Sequence, residues 1–125
     1  MILIVDDEPM LRDLLSDIIS DFGLLSIQSS RPQDVQGIVK EIDIKWIITD
    51  IGMPQVNGVE LIKQVRQTRP HIRYICISGF TDILESELKN LGVSLVLPKP
   101  FDIETFKNKF EALLKNQVSK ELQVS

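Results

Sequence analysis

Short apolar runs alternate with longer amphipathic segments along the whole chain. The apolar runs predict five strands, at residues 2–5, 24–28, 46–49, 72–77 and 94–97. Between the runs, apolar residues recur at three- and four-residue spacing, which predicts helices. The clearest helix is predicted over residues 9–21, and the continuous apolarity of the strands indicates cover on both faces. The alternation therefore predicts an α/β fold of the (βα)5 type, with a five-stranded parallel sheet between two layers of helices.

Residues that begin or end helices support this division of the chain. Ser30 with Gln33 resembles a capping box for the second helix. A fourth helix is predicted to begin at Thr81 and to stop at Gly92. Asp102 is predicted to cap the fifth helix. The globular part is expected to cover residues 1–115, and residues 116–125 read as a polar C-terminal tail or linker.

Length, charge and cysteine content narrow the class of protein. A chain of 125 residues is expected to form one domain. Its net charge of −4 argues against direct contact with nucleic acid. No apolar stretch approaches the ~20 residues needed to cross a bilayer, and we expect no signal leader, since the first residues are those of a strand. The lone Cys76 lies in an apolar run and is expected to be a core residue, so a reducing, cytoplasmic location fits best.

Charged and polar side chains stand where the predicted strands end. Asp6 and Asp7 follow the first apolar run, and Asp50 follows the third. Ser78 follows the fourth run and Lys99 follows the fifth. Ligands of open parallel sheets bind beyond the carboxyl ends of the strands, which lie at one edge. The pattern therefore predicts a single cleft that holds acidic residues, a hydroxyl and one amine.

This set of side chains suits a divalent cation and a phosphoryl group. Two carboxylates ~4 Å apart repel by about 4 kcal/mol at an effective dielectric near 20, so three in one cleft call for a cation. Mg²⁺ takes oxygen ligands and commonly bridges phosphates. Lys99 offers a compact positive charge and Ser78 a hydroxyl donor. Asp50 is the best nucleophile, because a carboxylate can form an acyl phosphate.

Four segments, in this order along the chain, resemble the two-component response-regulator receiver domain (CheY-like). They are residues 5–8 (Val-Asp-Asp-Glu), 49–54 (Thr-Asp-Ile-Gly-Met-Pro) with Gly58, 78–79 (Ser-Gly) and 99–101 (Lys-Pro-Phe). The resemblance covers residues 1–115. It implies a flavodoxin-like, doubly wound sheet with strand order 2-1-3-4-5.

The resemblance also implies roles for the acidic residues. Asp50 would accept a phosphoryl group from a phosphohistidine on a sensor histidine kinase or a histidine phosphotransfer protein. Asp7 would ligate Mg²⁺ directly and Asp6 mainly through water, while Gly52 would lend its backbone carbonyl. Phosphorylation would then change a protein-binding surface around the fourth and fifth helices, read by a downstream protein or an attached output domain.

Two further roles are implied at the other strand ends. Ser78 would hydrogen-bond the phosphoryl group once it is attached, and Lys99 would pair with it as a counter-ion. The Lys99–Pro100 peptide is expected to be cis. We expect a signalling module and not an enzyme in the ordinary sense, although such a domain takes part in its own phosphorylation.

The sequence departs from the family pattern on the last strand. Many receivers carry an aromatic residue three positions before the lysine, where this chain has Val96. Phe80 either replaces that aromatic group as the moving part or only packs under its loop. Gly52 and Phe80 occupy the positions that influence attack by water on the acyl phosphate, and neither can orient a water through a side-chain hydrogen bond. This predicts slow self-dephosphorylation.

Three alternatives compete with the interpretation of this chain as a receiver domain. An aspartyl-phosphate hydrolase of the haloacid-dehalogenase type would need a second acid at the position of Gly52. A flavodoxin-like cofactor binder would need a phosphate-binding loop after the first strand, where Asp6 and Asp7 would repel a phosphate. A degenerate, unphosphorylated receiver is disfavoured because every site residue is present. His71 lies in a predicted loop and is interpreted as exposed and inert.

Overall fold

Five strands and five α-helices alternate in the computed structural model, which describes residues 1–52, 58–79 and 85–124. The strands are β1 (Ile2–Val5), β2 (Ser26–Ser29), β3 (Trp46–Asp50), β4 (Arg73–Ser78) and β5 (Val93–Pro98). Neighbouring strands pair in parallel, in the order β2-β1-β3-β4-β5. The predicted doubly wound architecture and strand order are thus confirmed. The predicted role of Phe80 and the predicted helix start at Thr81 lie outside the described residues.

The helices cover both faces of this sheet. They are α1 (Pro9–Asp21), α2 (Val35–Glu41), α3 (Gly58–Thr68), α4 (Glu85–Asn90) and α5 (Ile103–Val124), with a 3-10 turn (Pro32–Asp34) leading into α2. One apolar cluster joins the sheet to α2, α3 and α4, and a second joins it to α1 and α5. Side chains of β1 alternate between the clusters, since Leu3 belongs to the first and Ile4 to the second. Both faces of the sheet are therefore buried in the hydrophobic core, and the ends of its strands are the part available for a binding site.

The edge strand β2 begins two residues later than its apolar pattern suggests. Leu24 and Leu25 were included in the predicted strand over residues 24–28, but the ladder with β1 begins at Ser26, opposite Ile2. Leu24 packs against the second apolar cluster, while Leu25 is 71% exposed in the segment just before the strand. On an edge strand, hydrogen bonding to one neighbour sets the boundary, and apolarity alone misplaces it.

The predicted capping box at Ser30 and Gln33 is wrong. Arg31 occupies the N-cap position of the 3-10 turn, with no side-chain cap hydrogen bond. The neighbouring Ser29 organises the turn instead: its hydroxyl accepts from the Arg31 N–H at 3.2 Å and donates to the Arg31 carbonyl at 3.0 Å. The predicted cap at Asp102 is confirmed, because its Oδ1 accepts from the Thr105 N–H at 2.6 Å.

The C-terminal segment continues the last helix. α5 runs through Val124, so the backbone shows no break near residue 115, where a polar tail or linker was predicted to begin. Among the helices of the described ranges, none has the length and apolarity that a membrane crossing requires.

Candidate functional site

The carboxyl ends of four strands bring the predicted site residues to one edge of the sheet. Asp6 directly follows β1, Asp50 is the last residue of β3, and Ser78 is the last residue of β4. All three are buried, whereas Asp7 beside them is exposed. Lys99 follows the end of β5. The structure therefore places acids, hydroxyl and amine at the same end of the sheet.

Lys99 is the cation of this cleft. Its Nζ donates to Asp50 Oδ2 at 2.9 Å and lies 3.9 Å from Asp6 Oδ2. Burial by itself lowers the pKa of Lys99, but the hydrogen bond and charge of Asp50, together with the charge of Asp6, outweigh burial and raise that pKa overall. The ammonium is therefore held in its charged form between two carboxylates.

The peptide bond between Lys99 and Pro100 is cis, as predicted.

The three aspartates form a compact set of oxygen ligands. Asp6, Asp7 and Asp50 can each offer one oxygen, and these oxygens lie within 4.8 Å of one another. Asp6 Oδ1 accepts from the Glu8 N–H at 2.8 Å, but its Oδ2 is buried with no hydrogen-bond partner among the described residues. Burial raises the pKa of Asp6 to about 6. A buried, unbonded oxygen in an all-oxygen set fits a hard divalent cation such as Mg²⁺.

Asp50 is held by the backbone that follows it. Its Oδ1 accepts from the Gly52 N–H at 2.8 Å, which leaves Oδ2 turned to Lys99. The N–H of Ile51 donates to the Ile77 carbonyl of β4 at 3.1 Å. Gly58, the first residue of α3, lies so close that a Cβ there would stand 2.8 Å from Ile51 Cα. The start of α3 thus packs directly on the backbone that carries Asp50.

The end of β4 is tied to Lys99 through the main chain. The Ser78 carbonyl accepts from the Lys99 N–H at 2.7 Å. A Cβ on Gly79 would lie 3.6 Å from Lys99 Cδ, so the lysine stem passes directly over this glycine. The Ser78–Gly79 segment therefore forms one wall of the cleft.

Sequence reasoning missed two features of this edge. Arg12 of α1 donates from Nη1 to the main-chain oxygen of Asp6 at 2.7 Å. A groove of about 1060 Å³ also opens beside Lys99 and Gly79. Its remaining lining is apolar with an acidic rim, formed by Met10, Leu11, Leu14, Pro100 and Phe101 with Glu8, Asp13 and Asp17. Met10 could have indicated the groove from the sequence. It is apolar but lies outside the buried face of α1, and it is 80% exposed.

The other residues singled out from the sequence lie away from the cleft. His71 is exposed before β4, at the opposite edge of the sheet, with Nε2 3.9 Å from Asp43 Oδ1. Val96 is half-buried in β5 and packs against the first apolar cluster. Cys76 is fully buried, and burial raises the pKa of its thiol to about 12, which supports the predicted core role.

Comparisons with known proteins agree with this geometry. A family model described as the response regulator receiver domain matches residues 2–111. The "Probable chemotaxis protein CheY" of Rhizobium etli is 35% identical over 118 residues, which cover 90% of each chain. The transcriptional regulatory protein FixJ of Azorhizobium caulinodans is 30% identical over 79% of this chain, which spans only 47% of that relative. A solved response regulator receiver protein from Pseudomonas putida superposes with a TM-score of 0.79 at 26% identity, covering 89% of this chain and 94% of its own.

Proposed function

Because the chain belongs to the response-regulator receiver domain family, whose members serve as phosphoacceptors in two-component signalling, we propose that Asp50 is its phosphoacceptor. The observation that carries this assignment is the 2.9 Å contact between Lys99 Nζ and Asp50 Oδ2 in an otherwise acidic cleft. An oxygen of the Asp50 carboxylate attacks the phosphorus of a phosphohistidine. A P–O bond forms as the P–N bond breaks, and the imidazole nitrogen leaves with the electron pair.

Mg²⁺ is the proposed cofactor, held by Asp6, Asp7, Asp50 and the backbone carbonyl of Gly52. Two observations support this choice: Asp6 Oδ2 has no hydrogen-bond partner in the described ranges, and the carboxylate oxygens lie within 4.8 Å of one another. When bound, the ion neutralises negative charge on the phosphoryl oxygens. The carboxylates of this chain would fix the position of the ion. One oxygen of the Asp50 carboxylate would remain available to attack the phosphorus.

Lys99 and Ser78 hold the phosphoryl group after transfer. Lys99 already lies against Asp50 in a half-buried position, so its ammonium remains beside the new acyl phosphate as a counter-ion. Ser78 ends β4 on the same edge and supplies a hydroxyl donor. Gly52 offers no side chain to orient an attacking water, which supports a long-lived acyl phosphate. The decay rate in a Gly52→Asn variant tests this point, and an unchanged rate would contradict it.

The phosphodonor is a sensor histidine kinase or a histidine phosphotransfer protein that covers the groove between α1 and the loop before α5. The groove shares Lys99 and Gly79 with the cleft, so a protein seated there can reach Asp50. Its apolar floor and the acids Glu8, Asp13 and Asp17 suit a donor surface that mixes apolar and basic side chains. Downstream of phosphorylation, the surface around α4 and α5 binds another protein or an attached output domain.

The proposed setting is cytoplasmic signalling without catalysis of a separate substrate. A net charge of −4 supports protein partners over nucleic acid. A hydrolase of the haloacid-dehalogenase type is disfavoured by Gly52, since an acid is needed where this chain has no side chain.

Intact-mass measurement after incubation with Mg²⁺ and acetyl phosphate tests the function. One phosphoryl group should be added to the wild-type chain and none to an Asp50→Asn variant. Asp43→Asn is the matched control, because Asp43 is an exposed acid at the opposite edge of the sheet, and it should be phosphorylated like the wild type. Phosphorylation of Asp50→Asn would refute the assignment. An unmodified wild type that releases no inorganic phosphate would favour a degenerate receiver, and rapid release without accumulation of the phosphorylated chain would favour a hydrolase.

A further inference from the structure

Three of the four polar atoms of Asp6 make hydrogen bonds within the described part of the chain. Its N–H donates to the Ser29 carbonyl of β2 at 3.2 Å, and its Oδ1 accepts from the Glu8 N–H at 2.8 Å. Its main-chain oxygen accepts from Arg12 Nη1 at 2.7 Å. The remaining polar atom, the buried Oδ2, has no hydrogen-bond partner among the described residues and lies 3.9 Å from Lys99 Nζ in the cleft. Every constraint on Asp6 therefore bears on where that one oxygen points.

Arg12 is itself braced from the edge strand. Its Nε donates to Gln28 Oε1 at 3.3 Å, while Gln28 Nε2 donates to Asp13 Oδ1 at 3.1 Å. Arg12 and Asp13 lie on α1, and Gln28 lies on β2. The guanidinium thus uses two of its donors in different directions, which its planar, rigid fork allows and a lysine ammonium would not reproduce. A continuous set of hydrogen bonds runs from β2 through Arg12 to Asp6.

The position of Arg12 suits control of geometry more than control of charge. It contacts the main-chain oxygen of Asp6, at the point where β1 turns into α1. The charges that act on the Asp6 carboxyl belong to Lys99, Asp50 and Asp7. A charge-assisted hydrogen bond to a carbonyl is stronger than a neutral one and holds that peptide unit in place. We expect its removal to loosen the segment that presents Asp6 and Asp7.

We propose that Arg12 is a positioning residue for the magnesium site, acting through the main chain of Asp6. This inference rests on the proposed function, since it concerns the same carboxylates. Residues that hydrogen-bond to metal ligands and orient them typically lower the metal affinity when they are removed. Arg12 holds the orientation of Asp6 Oδ2 relative to Asp7 and Asp50 before the ion arrives.

Calorimetric titration of Mg²⁺ into folded variants of the full chain tests the proposal. Arg12→Met keeps much of the side-chain length and removes the donors, and should weaken Mg²⁺ binding by about tenfold. Phosphorylation by acetyl phosphate should recover at saturating Mg²⁺, because the phosphoacceptor itself is untouched. Arg12→Lys should fall between Arg12→Met and wild type. Amide shifts of Asp6 and Asp7 in the metal-free chain should move in Arg12→Met, which reports the turn directly.

Ser16→Ala is the matched control. Ser16 and Ser26 share a 2.9 Å hydrogen bond that also joins α1 to β2, but the hydrogen bonds of Asp6 within the described residues go to Ser29, Glu8 and Arg12. This variant should keep the wild-type Mg²⁺ affinity. If Arg12→Met unfolds, Gln28→Ala replaces it, since it removes the brace on Arg12 and should weaken Mg²⁺ binding in the same direction by a smaller factor.

Wild-type Mg²⁺ affinity in the folded Arg12→Met variant would overturn the proposal, and so would wild-type affinity in Gln28→Ala where that variant replaces it. An equal loss of Mg²⁺ affinity in Ser16→Ala would also overturn it. The behaviour of the wild-type chain distinguishes failure of this inference from failure of the proposed function on which it rests. If the wild-type chain binds no Mg²⁺ and takes no phosphoryl group, the proposed function fails first, and the role of Arg12 fails with it.

Discussion

The ammonium of Lys99 lies 2.9 Å from Oδ2 of Asp50, so a lysine from the end of β5 neutralises a carboxylate at the end of β3. The two residues are 49 positions apart in the chain. Parallel pairing through β4 brings them together, because Ser78 lies opposite Pro98 and Ile77 opposite Asp50. The pair thus depends on the sheet register, and its ammonium lies near two of the carboxylates that are proposed to hold Mg²⁺.

Lys99→Met should separate the role of the lysine from that of the metal ligands. Lys99 and Mg²⁺ are both cations near the same carboxylates, so removing the lysine should preserve or strengthen Mg²⁺ binding. Phosphorylation by acetyl phosphate should slow, because the new acyl phosphate loses its counter-ion. Calorimetry and intact-mass time courses measure the two effects. Lys45→Met, at an exposed lysine paired with Asp43, is the control and should change neither. Weaker Mg²⁺ binding in Lys99→Met would contradict this account.

Gly58→Ala should be destabilising and should disturb the acceptor loop. The added methyl would lie 2.8 Å from Ile51 Cα and 3.2 Å from the Asp50 carbonyl oxygen, both backbone atoms. We expect a loss of roughly 1–3 kcal/mol in the free energy of unfolding, the usual cost of overpacking. Urea unfolding measures the loss, and the phosphorylation rate should fall with it.

Gly37→Ala is the matched control for this glycine. It lies in α2, where a Cβ would meet nothing within 4 Å. The same substitution should therefore stabilise the chain by about 0.5–1 kcal/mol, through helix propensity. Equal effects of the two alanines would show that the packing of α3 on Ile51 is not what requires glycine at position 58.

Strand-end chemistry could be predicted from the sequence because parallel strands share one direction. Once the apolar runs at β1, β3 and β5 are identified, Asp6, Asp50 and Lys99 must meet at one edge. Individual side-chain contacts could not be predicted from the local sequence. Arg12 resembles any other polar residue of α1, because its hydrogen bond to the Asp6 carbonyl depends on how the helix packs on β1. Asp6 Oδ2 has no hydrogen-bond partner within the described part of the chain, and this too follows from burial in three dimensions.

Errors occurred where a competing local signal resembled the real one. Ser30 has the residue type and spacing of a helix cap, but the neighbouring Ser29 is the one whose hydroxyl bonds the turn. Leu25 has the apolarity of a strand residue but is exposed and lies just before β2. Both positions lie at the ends of the edge strand, where fewer neighbours constrain the backbone.

Tyr74→Phe should stabilise the domain or leave its stability unchanged. Tyr74 is fully buried in the first apolar cluster, and its hydroxyl has no hydrogen-bond partner among the described residues. Removing an unsatisfied buried hydroxyl should raise the free energy of unfolding by about 1 kcal/mol. Urea unfolding measures the change, with Tyr74→Leu as the control that should destabilise because it also removes the ring. A clear loss of stability in Tyr74→Phe would show that the hydroxyl is bonded.

The same tyrosine gives a prediction at alkaline pH. Burial raises the pKa of Tyr74 from 10.0 to about 12, so the unfolded chain releases this proton at a lower pH than the folded chain. Stability should therefore fall as the pH rises from 10 towards 12. The fall should be shallower in Tyr74→Phe, measured by urea unfolding at each pH. An identical pH dependence in both chains would contradict the assignment to this residue.

Asp17→Lys should distinguish donor docking from the chemistry at Asp50. Asp17 lines the acidic rim of the groove and has no part in the cleft itself. Phosphorylation by acetyl phosphate should be unchanged, whereas transfer from a phosphorylated histidine kinase should slow, because the rim no longer attracts basic side chains. Asp21→Lys, on the exposed face one turn further along α1 and outside the groove lining, is the control. Equal slowing by both variants would show a general charge effect without a docking surface.

Cys76 should be unreactive in the folded chain. The thiol is fully buried in β4, and burial raises its pKa from 9.0 to about 12, so almost no thiolate is present near pH 8. Ellman's reagent should leave the native chain unmodified at that pH and should label one thiol per chain in urea. Because the unfolded thiol ionises first, the free energy of unfolding should also decline as the pH rises above 9, and Cys76→Ala should lack this part of the decline. Rapid labelling under native conditions would show that β4 opens readily. The strand that ends in Ser78 would then be too loosely held to position the cleft.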